Sequence, residues 1–324
     1  MWESVPGQGH IQATLQRALA KGSLAHAYLF IGPDGLGQEQ IIQQLGLALA
    51  CQEGLPPCGR CDGCRAAASG DHPDFHRVAP QGSRIGIDQI RSLQEILSLQ
   101  PYIGPWRYCV IEEAEALTRE AANSFLKLLE EPGPKVVFIL CCRNVESMLS
   151  TIISRCQSLT FRPVPASVIR EELLAQGVPG PRAEMAAALA GGRPGQARSF
   201  LEDSFLEERQ EAVESLLALP HGRTGDLLAL AERWSSQREL THRYLDYLVY
   251  WFRDLLVLVS GGGEQLVMNR DYLDKLKEQA QNYRAEGLLE ALDKVQGCRR
   301  RLAGNANRRL LLEELFFTLS KEVV

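Results

Sequence analysis

The chain has 324 residues, of which 45% are hydrophobic and 23% are charged, and its formal net charge is −5. This length allows two or three domains, each with its own core. The acidic balance excludes an independent, strongly basic nucleic-acid-binding protein. The most apolar stretch, 245–259, contains charged residues and is too short to span a bilayer of about 30 Å, so we expect a buried helix there and no membrane contact.

The first half of the chain alternates short apolar runs with helical patterns. The runs at 28–31, 107–112 and 136–141 are bounded by polar residues, glycine or proline, and they predict buried strands. Helical spacing predicts helices at 38–50, 88–99 and 119–130. This alternation predicts an α/β domain in which helices cover both faces of a mostly parallel sheet.

Strand signals stop after residues 161–165, and the rest of the chain is predicted to be helical. Short helices are expected at 166–176, 181–190 and 194–206, followed by long amphipathic helices from about residue 207. A loop is expected at 261–263, and a final helix from about Asn305 to Leu319. The sequence therefore predicts three units: an α/β domain (1–162), a small helical domain (163–206) and a larger helical domain (207–324).

Residues 32–37, GPDGLG, lie between a predicted strand and a predicted helix, which is the context of a phosphate-binding loop. Gly32, Gly35 and Gly37 would let backbone N–H groups turn toward a phosphate. An active loop continues with a lysine for the phosphates and a Ser or Thr for Mg²⁺, but this chain has Gln38 and Glu39. Glu39 also suits the first turn of a helix. We therefore expect a structural strand–turn–helix that does not bind ATP productively.

The stretch 108–113, YCVIEE, resembles the strand that ends in Asp-Glu in ATPases. In those enzymes the aspartate positions Mg²⁺ and the glutamate polarises water. Here Glu112 takes the aspartate position and Glu113 keeps the second. Without the lysine and the hydroxyl of the first loop, these two carboxylates have no assured metal ion to bind.

Four of the nine cysteines lie within fourteen residues, at Cys51, Cys58, Cys61 and Cys64. Two successive C-x2-C steps let a chain wrap one tetrahedral Zn²⁺ ion, and glycines and prolines between them favour the tight turns required. An iron–sulfur cluster uses similar spacing, and buried free thiols are the third alternative. A clustered, odd set of cysteines is not a disulfide framework, so we expect a structural Zn²⁺ site in a cytoplasmic protein.

An ordered set of motifs resembles a bacterial family, the AAA+ clamp-loader subunits of DNA polymerase III, and within it those of the delta-prime type. The set comprises HAYLF at 26–30, the four-cysteine insert, IDQIR at 87–91, NSFLKLLEEP at 123–132, Ser154-Arg155-Cys156, and the pattern from Leu302 through Ala303, Asn305 and Asn307 to Glu313. The resemblance implies a subunit of a five-part ring that opens a sliding clamp and loads it on primed DNA. It implies gamma/tau-type ATPase subunits and a delta subunit as partners, with the small domain (163–206) as a lid and the last domain (207–324) as an oligomerisation collar.

In this family the Ser-Arg-Cys motif supplies an arginine finger to ATP bound by a neighbouring subunit, which makes Arg155 the expected finger. For a lone arginine a surface salt bridge is the alternative. ATP-hydrolysing members also carry an arginine in the small domain, at the place where this chain has Gly195. Arg193 lies two residues earlier, and we do not assign it that role. The resemblance therefore implies a stator subunit that does not hydrolyse ATP, and an active gamma/tau-type ATPase is the alternative.

The arginines at 299–301 and 308–309 form the notable basic clusters of the sequence. Such clusters can contact DNA phosphates. Solvated helix faces and contacts with acidic neighbours are alternatives that the sequence leaves open.

Overall fold

The computed structural model describes residues 2–55, 57–218, 223–236, 238–302 and 306–321. Two residues of the C-terminal pattern, Ala303 and Asn305, lie outside these ranges. Asn305 is also the predicted start of the last helix. The chain divides into two compact units. One contains residues 1–169 with 192–195, and the other contains residues 170–191 with 196–324. The three-domain division stays a prediction.

The first unit is built on a parallel sheet of five strands. These are β1 (Ala27–Ile31), β2 (Phe75–Val78), β3 (Arg107–Ile111), β4 (Val136–Cys142) and β5 (Gln157–Thr160). Their spatial order is β2-β3-β4-β1-β5, and every pairing is parallel. The three interior strands are the apolar runs that the sequence predicts, because a strand covered on both faces has no solvent-facing side that would favour polar residues.

Helices cover both faces of this sheet. They are α1 (Gly9–Ala20), α2 (Gln38–Ala50), α3 (Asp62–Ser69), α4 (Ile87–Ser98), α5 (Arg119–Glu130) and α6 (Ser150–Ile153). Successive strand residues point to opposite faces, so Leu29 joins a buried cluster with Phe125, whereas Phe30 joins a second cluster with Ile41. The predicted α/β class with a parallel sheet is confirmed.

From residue 166 onward the described chain is helical. Its helices are α7 (Ala166–Ala175), α8 (Gly180–Leu189), α9 (Pro194–Ser199), α10 (Asp203–Ala218), α11 (Thr224–Ser235), α12 (Arg238–Val259), α13 (Leu273–Ala280), α14 (Ala285–Leu302) and α15 (Arg308–Lys321). The apolar stretch 245–259 lies in α12, as predicted. Among the described residues, no helix combines the length and the apolar character needed to cross a membrane.

The single helix predicted at 194–206 is wrong, because the chain breaks between α9 and α10. The carbonyl oxygen of Leu201 accepts a hydrogen bond from the Arg182 guanidinium (2.7 Å). In a continuous helix this carbonyl would instead accept a hydrogen bond from the backbone N–H four residues later. Hydrophobic spacing alone does not reveal this competition, because Arg182 lies nineteen residues away.

A buried polar network holds the 264–272 segment against α10 and α12. Asp254, whose side chain is fully buried, accepts hydrogen bonds from the backbone N–H groups of Met268 (2.9 Å) and Asn269 (2.7 Å) and from the Asn269 side chain. Asn269 in turn accepts from Arg209 (2.7 Å), whose guanidinium also bonds both carboxylate oxygens of Asp271. The charged groups are paired with one another, so their burial does not carry the cost of unpaired charges, although the Nε of Arg209 is buried without a hydrogen-bond partner in the described part of the chain.

We expect Asp254→Ala to lower the free energy of unfolding by about 3 kcal/mol, because it leaves two buried N–H groups and a buried amide without acceptors. Urea denaturation followed by circular dichroism measures the change. Glu290→Ala, at an exposed position on α14, is the control and should stay within about 0.5 kcal/mol of the unsubstituted chain. A loss no larger than that of the control would contradict a stabilising role for the network.

Candidate nucleotide-type site, cysteine centre and Arg155

The 32–37 loop follows β1 and leads directly into α2, as the sequence predicts. Gly35 and Gly37 have φ values of 87° and 101°, which side-chain-bearing residues rarely adopt. A side chain at position 37 would also overlap Val5. The chain thus builds the turn of a phosphate-binding loop at the carboxyl end of a central strand, where ligands of open parallel sheets bind.

Gln38 fills this loop with its own amide. Its Oε1 accepts a hydrogen bond from the Leu36 N–H (3.1 Å), and its Nε2 donates to the carbonyl oxygens of Pro33 (2.8 Å) and Gly32 (3.3 Å). A lysine at this position would extend toward phosphate. Gln38 instead folds back onto the loop and occupies one of the backbone donors that a phosphate would use.

Arg77 of β2 bridges the two carboxylates that flank the loop. Its guanidinium bonds Glu39 (2.6 and 3.0 Å) and Glu112 (3.0 Å). Hydrogen bonding to Glu39 and the charges of both carboxylates raise the pKa of Arg77 above its already high ordinary value, so the cation is permanent. A fixed cation therefore lies beside the carboxylate that would otherwise be available to Mg²⁺.

Arg143, which follows β4, makes a second set of ion pairs at the same cavity. Its guanidinium lies 2.8 Å from Asp34 and 3.9 Å from Glu113. The cavity has a volume of about 410 Å³, and five carboxylates and two guanidinium groups line it. The formal excess of three negative charges opposes the approach of a triphosphate.

Gly195 packs directly on the loop from the start of α9. Its N–H donates to the carbonyl oxygen of Gly35 (3.0 Å), and a Cβ added at position 195 would lie 3.2 Å from the Gly35 Cα. This contact is tighter than ordinary van der Waals packing, so a side chain at position 195 would require the loop at Gly35 to shift by a few tenths of an ångström. Arg193 belongs to the same turn, and no role for it follows from this geometry.

The four clustered cysteines converge at the end of α2 and the start of α3. Their Sγ atoms all lie within 4.8 Å of one another. The sulfurs of Cys51, Cys58 and Cys61 each accept a hydrogen bond from a backbone N–H, at 3.3 to 3.4 Å. Gly63 is required at its position, because any side chain there would overlap the carbonyl oxygen of Ala50.

The sulfur spacing fits one tetrahedral ion. With Zn–S bonds of about 2.3 Å, the sulfurs of a tetrahedral site lie roughly 3.8 Å apart, and Cys58 and Cys64 are separated by 4.0 Å. Backbone N–H groups of Gln52 and Cys64 lower the pKa of Cys61 to about 6, which favours its thiolate, whereas burial raises the pKa of Cys64 to about 12. The predicted cluster is confirmed as a group that could hold a metal ion.

Arg155 lies at the end of the α6 turn, outside the cavity lined by Gln38 and Arg77. Its Nη2 donates to Glu130 (2.7 Å), and its Nη1 donates to the carbonyl oxygen of Thr151 (3.0 Å). About a third of the side chain is exposed. In the single chain, Arg155 therefore makes the surface salt bridge that the sequence left as an alternative, while its guanidinium stays accessible from outside.

The basic cluster near the C-terminus is largely neutralised within the chain. Arg299 pairs with Asp246 (3.0 Å) and Arg301 with Glu314 (2.8 Å). Arg309 lies between Glu232 and Glu313. These pairings favour helix–helix contacts over a free phosphate-binding surface.

Sequence reasoning missed Arg77 and Arg143. Both lie next to the predicted carboxylates in space but far from them in sequence, and β2 carries two polar residues in four. A possible signal was the excess of acidic residues around the loop and the YCVIEE stretch, since closely placed carboxylates call for nearby cations.

Comparison with known proteins finds a matching family for each of the two compact units. The family described as DNA polymerase III, delta subunit, matches residues 7–165, and the family described as DNA polymerase III, delta subunit, C terminal, matches residues 203–321. The DNA polymerase III subunit delta′ of Bacillus subtilis is 31% identical, over 97% of this chain and 96% of its own. That of Escherichia coli is 29% identical, over 91% of this chain and 88% of its own.

A subunit of another type is also similar. The DNA polymerase III subunit tau of Bacillus subtilis is 27% identical over 90% of this chain, but the match covers only 56% of the tau chain. The matches to the two delta′ subunits extend over most of this chain and over most of each relative. With 31% identity along nearly the full length of a delta′ subunit and delta-type matches in both halves, the chain belongs to the DNA polymerase III delta′ subunit family.

Proposed function

We propose that this chain is the stator of a bacterial sliding-clamp loader and does not hydrolyse ATP itself. It assembles in the cytoplasm with gamma/tau-type ATPase subunits and a delta subunit, and the assembly loads the clamp onto primed DNA. One observation carries this proposal: Gln38 and Arg77 bond the loop backbone and the carboxylates with which an ATPase would hold phosphate and Mg²⁺.

The contribution of this chain to catalysis is then Arg155, donated to ATP on a neighbouring subunit. Its accessible guanidinium and its position outside the chain's own cavity support this role. A guanidinium that reaches a γ-phosphate stabilises the charge spread over the phosphate oxygens. The α/β domain (1–162) would present the finger, with the lid (163–206) and the collar (207–324) following it.

The metal held by Cys51, Cys58, Cys61 and Cys64 is Zn²⁺ in this proposal, and its role is structural. Four cysteine sulfurs leave no coordination position open for a substrate. The ion would fix the 51–64 segment between α2 and α3. Three of the sulfurs already accept backbone N–H groups, an arrangement that stabilises thiolates.

We expect the isolated chain to show no binding of Mg-ATP in calorimetry at micromolar concentrations. The triple variant Gln38→Lys/Glu39→Thr/Arg77→Ala should gain at least about 10-fold in affinity, because it supplies the phosphate lysine and the Mg²⁺ hydroxyl and removes the cation beside Glu112. Gln16→Lys is the matched control. It adds the same net charge at an exposed position of α1, outside the loop, and should gain nothing.

The second candidate function is that of an active gamma/tau-type ATPase. The similarity to a tau subunit and the intact glycine turn favour it. Micromolar binding of Mg-ATP by the unsubstituted chain, with Mg²⁺-dependent turnover, would support this candidate and overturn the stator proposal.

A further inference from the structure

Glu130, the last residue of α5, lies within the LLEEP stretch of the sequence, to which the proposed function gives no role. Its Oε1 accepts a hydrogen bond from Nη2 of Arg155 at 2.7 Å. The two residues are twenty-five positions apart, so the fold rather than the local chain brings them together. Exposed fractions of 51% for Glu130 and 36% for Arg155 place the pair at the surface.

The partial negative charge at the end of α5 favours a cation beside Glu130. The C-terminus of a helix carries partial negative charge, which disfavours a carboxylate and favours a cation beside it. Arg155 supplies that cation at the end of α5. The next residue, Glu131, is also exposed, yet the guanidinium bonds Glu130. The chain thus contains an otherwise similar neighbouring carboxylate that does not make this contact.

The contacts of Arg155 fix one side of the guanidinium and leave the rest free. Nη1 donates to the Thr151 carbonyl oxygen (3.0 Å) and, at a longer 3.5 Å, to Ser154 Oγ, and Nη2 donates to Glu130. A guanidinium has five N–H donors in a rigid plane. Three acceptors therefore set the direction of the plane, while the Nε–H and the second hydrogen of Nη2 have no hydrogen-bond partner among the described residues and could meet an outside phosphate.

We propose that Glu130 is a positioning residue for Arg155, which it holds in the orientation that meets the triphosphate of a neighbouring subunit. This inference rests on the proposed role of Arg155 as an arginine finger. A long, flexible arginine loses side-chain entropy when it is ordered at an interface. Because Glu130 orders it beforehand, less of this cost falls on the catalytic step.

The test uses the clamp loader reconstituted with its ATPase and delta partners, with ATP, clamp and primed DNA. Glu130→Ala should lower kcat of the ATPase activity that depends on this chain by roughly 5-fold, which is the effect expected when one exposed, well-oriented charge pair is lost. KM for ATP should stay unchanged. Glu130→Gln retains a side-chain oxygen that can accept from Nη2 and should recover most of the loss. Glu131→Gln is the matched control and should leave kcat unchanged.

A double-substitution cycle separates positioning from a general structural effect. In the Arg155→Ala background, Glu130→Ala should have no further effect, because it acts only through that guanidinium. Equal loss in both backgrounds, or a rate increase in the single variant, overturns the positioning role. No effect of Arg155→Ala itself refutes the finger proposal instead, so the two failures are distinguishable.

Discussion

Arg155→Ala should lower ATP hydrolysis by roughly 10³-fold at the subunit interface to which we propose that Arg155 contributes. The reason is electrostatic, since the transition state spreads charge over phosphate oxygens that a guanidinium neutralises. In the single chain Arg155 contacts surface groups only, Glu130 and the Thr151 carbonyl among them. Folding and assembly should therefore be preserved. Single-turnover hydrolysis by the reconstituted loader, with clamp and primed DNA, measures the loss.

Two further variants test whether hydrolysis depends on the guanidinium of Arg155. Arg155→Lys keeps the charge but loses the planar fork, so it should remain close to the alanine variant. Arg91→Ala removes another exposed arginine of the same unit, whose pairing with Asp88 is long at 3.7 Å, and should leave hydrolysis unchanged. A stoichiometric complex containing Arg155→Ala that hydrolyses ATP at the normal rate would exclude the finger role.

The interior of the sheet could be predicted from the sequence, whereas its edges could not. β1, β3 and β4 are covered on both faces and are therefore apolar, apart from the buried Arg107 at the start of β3. β2 and β5 lie at the two edges. Three of the four β5 residues are exposed, whereas β2 has one exposed and two partly buried residues, and polar residues interrupt both sequences, FHRV and QSLT. Without a continuous apolar run or a clean alternation, neither periodicity nor composition identifies such strands.

The residues of the candidate site also fall into those that the sequence could locate and those that it could not. The glycine turn, Gln38, Glu39 and the two carboxylates after β3 could be located because they are contiguous motifs attached to predicted elements. Arg77 could not, because it lies on the unpredicted strand β2 and meets Glu39 across thirty-eight residues. The sequence therefore indicated that this site lacks the groups for ATP, and the structure adds that an arginine from the sheet edge stands beside Glu39 and Glu112.

The same contacts would let the loop keep its conformation without a bound nucleotide. Phosphate loops leave backbone donors pointing into the site, and buried donors without partners are costly. Gln38 satisfies the Leu36 N–H, and Gly195 bonds the carbonyl of Gly35. The loop is therefore held by its own chain.

Cys64→Ser should lower the Zn²⁺ content of the purified chain from about one equivalent to less than half an equivalent. Cys64 is the buried member of the cluster, and its sulfur lies 4.0 Å from that of Cys58. A hydroxyl is a poor substitute for a thiolate, and structural Zn²⁺ binding contributes directly to folding. The 51–69 segment should therefore lose protection against amide hydrogen exchange. Metal analysis and exchange mass spectrometry measure the two effects.

Cys298→Ser is the matched control because Cys298 is also buried, but it lies in α14. Its Zn²⁺ content should be unchanged. Acidification should release the metal from the unsubstituted chain, since protons compete with Zn²⁺ for the thiolates. A fresh preparation with less than half an equivalent of Zn²⁺ would contradict the assignment. Bound iron with visible absorption would instead identify an iron–sulfur cluster, because four cysteines at this spacing can ligate either.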